Sequence, residues 1–84
     1  MTVETSAWRA NDAARFDLAR EAVGNVVALL LDLSRTGTLD PDAAIDEAKR
    51  FRRDLLDSGF DRARVDQLLT GIESRLAELE GLRQ

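Results

Sequence analysis

Apolar residues recur at steps of three and four in the first half of the chain: Phe16, Ala19, Val23, Val26, Leu30 and Leu33. Such a rhythm places them on one side of an α-helix. A second line is offset from the first and holds Leu18, Ala22 and Leu29, while Val27 and Leu31 widen the surface. Over residues 22–33 the helix is therefore apolar almost all the way round, and such a helix is covered on several sides. The pattern predicts a first helix over about residues 11–35, capped by Asn11 or Ser6, with residues 1–10 as an N-terminal arm.

A second helix is expected over 41–58. Asp40 is its N-cap and Pro41 its first helical residue, a favoured pair. Ala44, Ala48, Phe51 and Leu55 form its buried stripe, with Ile45 and Leu56 beside them. Asp46 and Arg50, Arg50 and Asp54, and Arg53 and Asp57 stand at ion-pair spacing on the opposite side. Gly59 is expected to end the helix in a left-handed conformation. A third helix is expected over 62–80, opening at Asp61, with Phe60 and Val65 as a hydrophobic staple. Val65, Leu69, Ile72, Leu76 and Leu79 make its stripe, Leu68 and Leu82 flank it, and Gly81 should fray its end. Two-residue alternation is missing, so no strand is predicted. Short loops join antiparallel neighbours. The expected fold is all-α: a three-helix bundle in a single domain over residues 11–84.

Two companion helices look too few to cover residues 22–33, which predicts completion of the core as a homodimeric helical bundle. Its expected interface is Leu18, Ala22, Asn25 and Leu29. Asn25 stands in the middle of that line, where one amide can fix the register of paired helices. Trp8 is a tether for the arm or a contact anchor, because tryptophan is enriched at binding hot spots.

Composition sharpens this picture. The chain has 84 residues and neither cysteine nor histidine. A chain of this size buries only about 60–65% of the surface its unfolded form exposes. With no disulfide available, a partner chain is the expected support. The longest apolar run spans residues 26–31, against the roughly 20 residues a membrane helix needs. The first residues lack a basic start and apolar core, so a cytoplasmic location is expected. Eleven of the twelve basic residues are arginine, a bias that suggests a bacterial source.

Three segments suggest chemistry. Residues 32–43 resemble the calcium loop of the EF-hand family. Asp32, Ser34 and Thr36 stand at the first ligand positions, Gly37 at the turn, Leu39 at the apolar eighth place and Asp40 at the ninth. The closing bidentate glutamate of that family is here Ala43. Gly37 as a helix end and Asp40 with Pro41 as a helix start explain the same residues without a metal, so no metal site is assigned.

Lys49, Arg50, Arg53, Arg62 and Arg64 gather around the second turn and form a candidate anion patch. The net charge of −4 and the acids among them disfavour nucleic acid. Residues 51–62 are similar to the segment of acyl and peptidyl carrier proteins around their prosthetic-group serine. That resemblance implies a serine after Gly59, Phe60 and Asp61, where this chain has Arg62. No carboxylate pair stands in an apolar setting and no nucleophile stands beside a base. The expectation is a non-catalytic module with no cofactor. It binds another protein through the apolar side of the first helix, with a nucleic-acid-associated regulator as the alternative and a degenerate carrier-like protein as a remote one.

Overall fold

The computed structural model describes the backbone of residues 2–83 and the side chains of residues 12–83. It is all-helical, with three helices: α1 (Thr2–Arg35), α2 (Pro41–Ser58) and α3 (Arg62–Arg83). No strand occurs among the described residues.

Helix α1 ends in a Schellman motif. Gly37 takes φ 80°. The Thr38 N–H donates to the Leu33 carbonyl at 2.9 Å, and the Gly37 N–H to the Ser34 carbonyl at 3.2 Å. Asp40 then caps α2, its carboxylate accepting from the Ala43 N–H at 3.0 Å, and Pro41 opens the helix. Asp61 caps α3 in the same way, accepting from the Arg64 N–H at 3.2 Å. All three signals were local, and each appears where the sequence placed it.

Several expectations need correction. Helix α1 starts at Thr2, well ahead of Asn11, so neither Ser6 nor Asn11 is its N-cap and residues 2–10 are helix rather than a separate arm. Gly59 has φ 51° and ψ −131°, outside the left-handed helical region. With the Asp61 N–H donating to the Ser58 carbonyl at 3.0 Å, these values fit the first central position of a type II′ turn. Phe60 is exposed and lies edge-on to Phe16, with ring centres 5.2 Å apart. Helix α3 runs past Gly81 to Arg83.

Helix α1 is the spine. Both α2 and α3 pack along it, and they meet each other over a much shorter stretch. Ala19, Val23, Val26, Leu30 and Leu33 face the two companions, which contribute Ala44, Ala48, Leu55, Val65, Leu68, Ile72 and Leu79. Leu30, Ile72 and Leu79 are wholly enclosed. Val27 and Leu29 are also buried, Leu29 to 7% exposure. Two helices therefore cover most of the apolar surface of residues 22–33, and Leu31 is left 38% exposed. The small residues Ala44 and Ala48 on α2 stand at this core, where small side chains permit close helix approach.

Near the α2–α3 turn, Arg62 Nε stands 4.0 Å from Asp12 Oδ1, and Arg15 pairs with Asp66. These contacts fix where α3 begins alongside α1. The first turns of α1 lie beyond that level and continue past the end of the bundle, which is consistent with a long axis of 54 Å. At a rise of 1.5 Å per residue, 34 helical residues span about 51 Å.

Candidate functional site

The flank of α1 that faces α3 carries the residues singled out in the sequence, and the structure divides them. Leu18 is 55% exposed, Asn25 is exposed, Ala22 is half-buried against the core, and Leu29 is enclosed by its own chain. Leu29 is thus corrected from an open contact residue to the floor of a groove. That groove, of about 650 Å³, runs between α1 and α3 and is lined by Asn25, Ala28, Leu29 and Asp32 on one side and Leu76 and Glu80 on the other. Two further hollows flank Leu18, bounded by Ala14 and Arg15 and by Asp17 and Glu21. Trp8 lies on the projecting part of α1, and its side chain is outside the described residues.

Two residues of the basic cluster are engaged with other groups of the chain. Arg62 is engaged near Asp12 on α1. Arg64 donates through Nη1 to the Asp57 carbonyl at 3.2 Å. Lys49, Arg50 and Arg53, with Arg52, are exposed on α2. The expected pairs of Arg50 with Asp46 or Asp54, and of Arg53 with Asp57, are not made within ion-pair distance among the described residues. On an exposed helix face such pairs return little for the side-chain freedom they cost.

The loop over residues 32–43 uses its oxygens locally. Ser34 Oγ donates to the Leu31 carbonyl and Thr36 Oγ1 to the Leu33 carbonyl. Asp32 lies 3.6 Å from Arg35, and Asp40 is occupied as a cap. Among the described residues, no three acidic side chains converge. Ser58, beside the carrier-like stretch, is buried and donates its hydroxyl to the Leu55 carbonyl at 2.7 Å.

Two features escaped the sequence. Arg75 on α3 makes a forked contact with Glu47 on α2: Nε to Oε2 at 2.6 Å and Nη2 to Oε1 at 2.8 Å. Its Nη1 also donates to Glu78 at 2.9 Å. The hydrogen bonds that Arg75 donates to Glu47, against the opposing effect of burial, hold the guanidinium pKa above its ordinary value. Sixteen acids and eleven arginines offered no way to choose this pair. The second feature is an open groove of about 380 Å³ where α2 and α3 diverge, lined by Phe51, Leu68 and Gly71 with Asp54, Asp57 and Arg64 at its edges.

No helix among the described residues is long and apolar enough to cross a membrane. No protein-family model, curated protein or solved structure matches this chain.

Proposed function

We propose that the chain is a non-catalytic helical interaction module, a small adaptor, assembly factor or inhibitor, which self-associates and binds by helix packing. The observation that carries this reading is the state of α1. Its core face is satisfied within the chain, yet it keeps Leu18 exposed on a second flank and extends beyond the bundle that supports it. Isolated helical turns are marginal in water, so a projecting helix gains most from a partner that packs along it.

Sedimentation velocity at tens of micromolar tests the reading. The expected result is a dimer for the parent protein and a helical monomer for Leu18→Glu; a parent protein that sediments only as a monomer removes the self-association. The exposed Lys49, Arg50, Arg52 and Arg53 favour a second reading, a nucleic-acid-associated regulator. The same preparation, mixed with duplex DNA at low salt, is expected to show no retardation; retardation would favour the second reading.

A further inference from the structure

We infer that the flank of α2 turned away from α3 docks an acidic amphipathic helix of a partner protein, with Ile45 and Leu56 as apolar contacts and Lys49 and Arg52 as the cations between them. This surface is separate from the exposed flank of α1 and gives the module a second binding face.

Ile45, Lys49, Arg52 and Leu56 follow one another at steps of four, three and four, which sets them in one line along an α-helix. All four are exposed, Ile45 to 41% and Leu56 to 78%. Arg53, also exposed, borders the line. At a rise of 1.5 Å per residue the line is about 16 Å long. It lies opposite Glu47, whose carboxylate meets Arg75 of α3. The core side of α2 is taken by Ala44, Ala48 and Leu55. Neither companion helix therefore covers the line.

Charge identifies the occupant. Each described arginine outside α2 makes a side-chain ion pair or hydrogen bond within the chain. Among the described residues, Lys49, Arg50, Arg52 and Arg53 make none. Three of these four stand on or beside the line from Ile45 to Leu56. The acids Asp46, Asp54 and Asp57 fall away from it, and Asp42 borders it at the first turn. Two uncompensated cations between two exposed apolar residues are complemented by acids between two apolar anchors. An amphipathic helix supplies both at the same spacing. Duplex DNA offers phosphates to the cations and no apolar partner along its backbone to Ile45 and Leu56. An anionic bilayer offers both, but so broad a surface also meets the remaining acids of a chain whose net charge is −4. A single narrow helix avoids them.

Fluorescence anisotropy with a labelled synthetic peptide tests this. The probe is a capped helical peptide of about 18 residues, with leucine and glutamate on one face and alanine and glutamine on the other. The expected result in about 0.1 M salt is saturable binding with a Kd of about 10–100 µM, as suits a short contact. The double variant Lys49→Glu, Arg52→Glu should bind about tenfold more weakly and Leu56→Ala about threefold more weakly. Arg50→Glu, off the line, should change binding by less than about twofold. A peptide of the same composition, with its leucines and glutamates spread round the helix, should bind the parent protein about tenfold more weakly. That comparison needs no protein variant and stands even where a substitution lowers helicity. No binding of the first peptide up to about 500 µM, equal binding of the spread peptide, or equal weakening by Arg50→Glu overturns the proposal. So does tighter binding of duplex DNA or of phosphatidylserine vesicles that the double variant abolishes, in favour of a nucleic acid or a membrane.

Discussion

At Gly59 the backbone takes φ 51° and ψ −131° to turn α2 into α3. A β-carbon there is strained whatever space surrounds it, so Gly59→Ala is expected to cost about 1–3 kcal/mol. Gly24 and Gly71 are the opposite case. Both lie inside helices, and a β-carbon added at either would meet nothing within 4 Å. They do not mediate close approach within the chain. Gly24→Ala and Gly71→Ala are expected to stabilise by about 0.5–1 kcal/mol each, through the unfolded state as much as the folded one. Urea denaturation of the three variants measures both signs in one series.

At the scale of the element, the ends were legible and the flanks were not. Asp40, Pro41, Asp61 and Gly37 act on neighbours within a few residues, so their sequence context is their structural context. The start of α1 was misread because Ser6 and Asn11 are good caps but the helix runs through them. Leu18 and Leu29 share one line in the sequence, yet only Leu29 is covered. Coverage depends on where α3 begins against α1, which no local pattern states. The contact between Glu47 and Arg75 was hidden for the same reason, as it joins two helices across 28 positions.

Its geometry is forked and part-buried, so a double-mutant cycle with Glu47→Gln and Arg75→Gln should return a coupling of about 1 kcal/mol, reduced by salt. The raised pKa of Arg75 means that its contribution is fully present below the value of the unfolded chain and is lost only as pH climbs through the higher folded value. Arginine deprotonation therefore brings no loss of this contact near neutrality.

For the whole molecule, the core is complete within one chain, which separates folding from association. Leu30 is enclosed at the centre of all three helices, and Leu30→Ala is expected to cost about 2–5 kcal/mol. Leu56, 78% exposed, should tolerate alanine within about 0.5 kcal/mol. Thermal melts of the two variants check the contrast, and near-equal losses would mean that Leu56 is covered in solution. The bundle itself was legible from helical rhythm and short loops. How far residues 22–33 would be covered was not legible: two helices bury Val26, Val27, Leu29, Leu30 and Leu33 and leave Leu31 exposed.

Helices α2 and α3 each lean on α1 and scarcely on one another. The contacts between them include the tight turn, Arg64 reaching the Asp57 carbonyl and Arg75 gripping Glu47, beside a short stretch of direct packing. Each outer helix can therefore loosen while its sibling stays docked, so opening becomes a choice of two doors instead of one collapse. Amide hydrogens in the middle of α1 should outlast those of either companion, because replacing them requires both doors to swing at once.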